Sequence, residues 1–118
     1  MIKIYHNPRC TKSRQAIAVL EDAKVDFEVI KYLEDPLNKE ELEGIISLLN
    51  ITPIQLVRKT EAVWKELFKD KELSHLQVIS AMVEYPKLIE RPIIINGKNA
   101  IIGRPTAKIS KILSFTAK

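Results

Sequence analysis

Cys10 is the only cysteine in the chain, and it stands in the segment His6-Asn7-Pro8-Arg9-Cys10-Thr11-Lys12-Ser13-Arg14. The residues before it alternate like a short strand and those after it follow a helical pattern. Cys10 is therefore expected between a strand end and a helix start. A helix N-terminus carries partial positive charge and free N–H groups. Arg9, Lys12 and Arg14 add formal charge nearby. Each favours the thiolate, which is the nucleophilic form of cysteine. His6 can approach through the loop. Ser13 has two readings: a hydrogen-bond donor to the sulfur, or a plain helix-cap residue. A lone cysteine can also be a small buried hydrophobe without chemistry, but the surrounding cations argue against that here.

Spacing narrows the chemistry. The motif is C-x-x-S, so no dithiol forms within it, and a single cysteine cannot close an internal disulfide. A Cys-x5-Arg phosphatase loop needs arginine at position 16, which is Ala16. A redox-active Cys10 must then be resolved by an external thiol, for which glutathione is the simplest candidate.

The other rare residues exclude whole classes. One cysteine and two histidines, His6 and His75, leave no multi-cysteine zinc or iron–sulfur site and argue against a histidine-rich metal centre. With three glycines, Gly44, Gly97 and Gly103, neither a phosphate-binding P-loop nor a dinucleotide fingerprint can be written. The net charge of +4 is too mild to argue for nucleic acid. Its division is more telling, because lysines number fourteen and arginines five. Arg9 and Arg14 flank the cysteine, while Arg91 and Arg104 directly precede prolines. Scarce arginine beside special backbone suggests planar forks placed for an oxyanion. The plain alternative for each is a surface ion pair, such as Arg58 with Glu61.

The elements that must position these groups are read from periodicity. Ile2 to Tyr5 alternates like a strand, a helix runs from about Cys10–Ser13 to Ala23, and Phe27 to Tyr32 is a second strand. The short strand–helix–strand connections make this pair parallel. Asn38 with Glu41 makes a capping-box-like start, with Asn in place of the usual Ser or Thr, ahead of a stripe of Leu42, Ile45, Ile46 and Leu49. Thr52-Pro53 starts a short helix. Val63, Leu67 and Phe68, with Trp64, suggest another. Ser74 and Gln77 open a further helix that Tyr85-Pro86 ends. His75 at its start reads as exposed, and Trp64 and Tyr85 as packing residues. Arg91 to Ile95 is a β-branched strand, Asn96-Gly97 a hairpin turn, and Ala100 to Ile102 the return. Gly103-Arg104-Pro105 leads to a last helix with Ile109, Ile112 and Leu113 on one side.

The sum is an α/β chain of order β-α-β, a helical insert over about 38–85, then β-β-α. One domain spanning 1–118, with a small mixed four-stranded sheet, fits this thioredoxin-like topology. No apolar run reaches the roughly 18 residues of a membrane helix. The N-terminus lacks a signal-peptide hydrophobic region, so a cytoplasmic protein is expected.

The Cys10 segment resembles the active-site segment of the glutaredoxin-linked arsenate reductases, the ArsC family. The similarity continues through Tyr32-Leu33-Glu34-Asp35-Pro36, Leu56-Val57-Arg58-Lys59, Leu88-Ile89-Glu90-Arg91-Pro92-Ile93 and Gly103-Arg104-Pro105, over nearly the whole chain. The resemblance implies arsenate or a similar oxyanion held by Arg58, Arg91 and Arg104 beside a nucleophilic Cys10. It implies that His6, Ser13 and Arg14 stabilise the thiolate and that Pro92 follows a cis peptide bond next to the site. It implies glutathione as co-substrate with no bound cofactor, glutaredoxin as the partner that resolves a mixed disulfide, and release of arsenite. Neither nucleic acid nor membrane is an expected partner, and a monomer is expected because a small reductase must dock its reductant. The cysteine segment is shared with Spx-like regulators that bind RNA polymerase and with YffB-like thiol reductases. Ser13 departs from the C-x-x-C switch typical of the first. The three arginines favour arsenate over the second.

Overall fold

The computed structural model describes residues 2–103 and 108–113. The chain divides into two units, Met1–Asp35 with Arg91–Lys118, and Pro36–Glu90.

The first unit is built on a four-stranded sheet. The strands β1 (Ile2–Tyr5), β2 (Phe27–Ile30), β3 (Ile93–Asn96) and β4 (Asn99–Ile102) lie in the order β2-β1-β3-β4. β1 pairs parallel with β2, antiparallel with β3, and β3 antiparallel with β4. This is the mixed sheet and thioredoxin-like order expected from the sequence. Helix α1 (Thr11–Asp22) forms the crossover from β1 to β2. Its Ala16 and Leu20 pack with Ile2, Ile4 and Ile94 of the sheet and with Ile109 and Ile112 of α5 (Ile109–Leu113). Period two along β1 puts Ile2 and Ile4 on one face, and period 3.6 along α1 aims Ala16 and Leu20 at it. Each such aliphatic side chain contributes about 1.5–3 kcal/mol by burial, and this core fixes α1 to the sheet.

Two boundaries differ from the sequence reading. β2 stops at Ile30 because the chain turns at Lys31, whose carbonyl accepts from the N–H groups of Glu34 and Asp35. Tyr32 is buried in that turn, which is why it reads as strand. The hairpin loop is Gly97-Lys98, one residue later than expected, because Asn96 still pairs with Asn99. Gly97 takes φ +63 at the first loop position, where glycine adopts a positive φ without steric cost.

The second unit is helical. It comprises α2 (Lys39–Leu49), α3 (Ala62–Leu67) and α4 (His75–Glu84), with short 3-10 turns at Pro53–Leu56 and Pro86–Leu88. Leu42, Ile45 and Ile46 of α2 and Val78, Ile79 and Met82 of α4 are buried, and the two helices pack together. Both start on capping boxes. Asn38 Oδ1 accepts from Glu41 N at 2.8 Å while Glu41 Oε1 accepts from Asn38 N at 3.2 Å; Ser74 and Gln77 do the same for α4. Asn38→Ala leaves Glu41 N without its cap and is expected to cost about 1 kcal/mol. A urea titration checks this, and an unchanged midpoint would show that the box contributes nothing.

In α3 the buried residue is Trp64, stacked on Phe68 at 5.4 Å, with Phe68 edge-on to Tyr85 at 6.0 Å. Leu67, expected on the apolar stripe, is 40% exposed. Among the described residues no helix is long and apolar enough to cross a membrane.

Candidate active site

The sheet register brings the chemistry-bearing residues of the first unit to one edge. Tyr5, the last residue of β1, pairs with Ile30, the last of β2, and with Ile93, the first of β3. Ile93 in turn pairs with Ile102, the last of β4. His6, Lys31, Arg91-Pro92 and Gly103 therefore leave the sheet at the same edge. His6 extends the pairing by one bond, its N–H donating to Ile30 O at 2.8 Å.

The loop from His6 to Cys10 is tied by its own groups. Asn7 Oδ1 accepts from Arg9 N at 3.0 Å, and Asn7 O accepts from Cys10 N at 3.0 Å. Cys10 is the N-cap of α1, in extended conformation, and its carbonyl accepts the first helical bond from Arg14 N. The thiol is half-buried. The first turn of α1 holds no acidic side chain, so nothing there offsets the positive helix end that favours an anion. Arg14, expected to stabilise the thiolate, reaches back to brace the loop: Nη1 donates to Pro8 O at 3.3 Å and Nη2 to Thr11 Oγ1 at 3.2 Å.

His6 and Ser13 meet. His6 Nδ1 lies 2.6 Å from Ser13 Oγ, and Ser13 Oγ also accepts from Asn7 N at 3.0 Å. Both side chains are buried, Ser13 completely. The Ser13 hydroxyl is turned toward the loop, and among the described residues no hydrogen bond joins it to Cys10 Sγ. Burial, then the charge of Lys31, then that of Arg14 push the His6 pKa below its ordinary value of 6.5. The ring is neutral at physiological pH.

This shift has a sign for stability. Below about pH 6.5 the unfolded chain takes up a proton at His6 that the folded chain resists. The stabilising contribution is complete above that pH and is lost as pH falls through it toward the lower folded pKa. The melting temperature should therefore decline below about pH 6.5, and His6→Gln should flatten that decline. Equal slopes in the two proteins would contradict the assignment.

Arg91 precedes a cis peptide bond to Pro92, as the resemblance implies. Pro92 is held by its carbonyl, which accepts from Gly103 N at 2.8 Å. A Cβ at Gly103 would stand 3.1 Å from Pro92 Cγ, so glycine permits this approach. Arg91 Nε is buried and has no hydrogen-bond partner among the described residues. An unmet buried donor is costly.

Arg58 belongs to the second unit. Its Nη1 meets Glu61 Oε1 at 2.9 Å, the surface-type pair weighed from sequence, and its Nε meets Glu90 Oε1 at 3.3 Å. The backbone there is pinned by Arg58 N to Leu88 O at 2.7 Å and Glu90 N to Leu56 O at 2.8 Å. Arg104 lies outside the described residues. No group of three or more metal-ligating side chains occurs among the described residues.

Sequence reasoning missed Lys31, Asn7 and Glu90. Lys31 was reachable, because a parallel β1–β2 pair puts the residue after β2 beside His6. Asn7 also carried a signal, since asparagine readily binds backbone two residues on. Glu90 had none: it reaches Arg58 through the isolated bridge Val57–Ile89.

The arrangement suits attack by a thiol on an anionic electrophile. The loop that leads to the N-terminus of α1 and Arg91, whose Nε has no partner among the described residues, lie at one sheet edge. The ArsC family model matches residues 5–112. The chain is 41% identical over 114 residues to the protein YfgD of Escherichia coli (strain K12), covering 95% of this chain and 96% of that one. It is 38% identical over 114 residues to an arsenate reductase of Neisseria meningitidis serogroup A, covering 95% and 97% of the two chains. The solved structure of an arsenate reductase from Vibrio cholerae superposes with a TM-score of 0.89 at 41% identity, covering 94% of this chain and 96% of that one. With this match over nearly its whole length and a fold to go with it, the chain belongs to the ArsC family.

Proposed function

We propose that the protein is an arsenate reductase that uses Cys10 as nucleophile and glutathione, through glutaredoxin, as electron source. The observation that carries this reading is that Arg91, whose buried Nε has no hydrogen-bond partner among the described residues, stands just before β3 at the sheet edge from which the Cys10 loop departs. Names borne by relatives at 38% identity support arsenate as the oxyanion.

Arsenate is an anion at neutral pH, and a thiolate approaching it meets repulsion. The N-terminus of α1 and the Arg91 fork offset that repulsion and orient the oxygens. The Cys10 thiolate attacks arsenic(V), an S–As bond forms, and one arsenic–oxygen bond breaks with its oxygen leaving as water after protonation. Glutathione adds at arsenic and displaces a second oxygen in the same way. Two S–As bonds then give way to one S–S bond between Cys10 and glutathione. The spare electron pair stays on arsenic, which falls from +5 to +3 and leaves as arsenite. A second glutathione, delivered by glutaredoxin, reduces the mixed disulfide and restores Cys10. Two thiols are oxidised to one disulfide for each arsenic reduced.

The test is arsenate-dependent NADPH oxidation coupled through glutathione, glutaredoxin and glutathione reductase. Turnover that saturates with arsenate is expected. A folded protein with a titratable thiol that gives no arsenate-dependent oxidation would overturn the reading, and reduction of small glutathione mixed disulfides instead would identify a plain thiol reductase.

A further inference from the structure

The contact between His6 and Ser13 has a specific hydrogen-bond count. A serine hydroxyl has one proton to give and can accept at its lone pairs. Ser13 Oγ already accepts from Asn7 N at 3.0 Å. Its remaining close partner is His6 Nδ1 at 2.6 Å. A neutral imidazole carries its proton on one nitrogen only, and the partner at the other nitrogen decides which. The backbone N–H of Asn7 cannot accept, so its bond fixes the hydroxyl's orientation with the serine proton free to point at the ring. Ser13 is fully buried, so water does not compete for that proton.

We propose that Ser13 is a positioning residue for His6: its hydroxyl donates to Nδ1 and locks the ring as the Nε2–H tautomer. Two consequences follow. The single proton of Ser13 is committed to the imidazole, so the hydroxyl steadies the cysteine loop through His6 and Asn7 and leaves the sulfur to the helix end. His6 then enters the reaction as a hydrogen-bond donor from Nε2, with no lone pair free to act as a base. The neutral ring, held so by burial and by the charges of Lys31 and Arg14, keeps Nδ1 available as an acceptor. The chemical use of this donor, toward an oxygen leaving arsenic, rests on the arsenate-reductase reading. The tautomer does not.

Nitrogen-15 NMR of the full chain, labelled in histidine, reads the tautomer directly and needs no arsenate. Exposed His75 serves as the internal reference for a ring without this clamp. In the wild type at pH 7.5, His6 should show an unprotonated Nδ1 and a protonated Nε2 in a single tautomer. In Ser13→Ala the clamp is gone, and the Nδ1–H form should rise several-fold in population. A protonated Nδ1 in the wild type would overturn the proposal, as would a Ser13→Ala spectrum identical to that of the wild type. Should Ser13→Ala fail to fold, the wild-type spectrum alone still decides. A correct tautomer in a protein that does not reduce arsenate would leave the clamp standing and remove only its catalytic use.

Discussion

Cys10→Ser is expected to lose arsenate-dependent turnover by about three orders of magnitude or more, to the floor of the coupled assay, while keeping its full thermal stability. The activity loss follows from chemistry. A serine hydroxyl is a far weaker nucleophile at neutral pH than a thiolate, and it cannot be oxidised to the mixed disulfide whose formation supplies the electrons that reduce arsenic. Removing a nucleophile that forms a covalent intermediate commonly costs several orders of magnitude. The stability expectation follows from geometry. Cys10 is the N-cap of α1 and makes no side-chain cap hydrogen bond, whereas serine is among the best N-cap residues. The substitution should therefore leave the melting temperature unchanged or raise it, by up to about 1 kcal/mol of added stability. An inactive protein that melts normally separates the role of sulfur from folding. Retained turnover in Cys10→Ser would remove Cys10 from the mechanism.

Arg91→Ala is expected to lower kcat/KM for arsenate by about 10²–10³-fold, the usual effect of deleting one donor aimed at a developing oxyanion. Arg91→Lys should recover little of it. Lysine restores a charge but has no group at the Nε position and no planar fork. Stability should hardly change in either variant, because Arg91 Nε has no partner to lose among the described residues. Deletion also removes an unmet buried donor. A drop in melting temperature with activity preserved would make Arg91 a structural residue. The contrast with Arg58 is useful, since that guanidinium is already engaged by Glu61 and Glu90.

Much of this organisation was legible in the residues. Capping boxes at Asn38 and Ser74 are encoded by side chains three apart, so the starts of α2 and α4 needed no tertiary knowledge. The β-branched run before Asn96-Gly97 marked β3 and β4 in the same local way. What escaped lay where burial and local turning point in different directions. β2 ends because the chain turns at Lys31, whose carbonyl accepts from Glu34 N and Asp35 N, and Tyr32 looked like strand because it is buried, though it sits in that turn. α3, at six residues, is too short for periodicity to choose between Trp64 and Leu67.

The same division holds at the site. The N-cap position of Cys10 was readable from a strand pattern followed by a helix pattern. The hydroxyl of Ser13 was not, because spacing alone offers Cys10 three residues back. The fold offers His6 and Asn7 across the loop instead, and their geometry wins. Arg14 likewise adds charge near the cysteine, but its donors go to Pro8 and Thr11.

The most direct test of the central claim is intact-protein mass spectrometry of a single turnover, with reduced glutathione and arsenate but no glutaredoxin. The account predicts that one glutathione accumulates on Cys10 only when arsenate is present, with one arsenite released per protein. No adduct in the presence of arsenate, or an adduct that forms equally without it, would contradict the account.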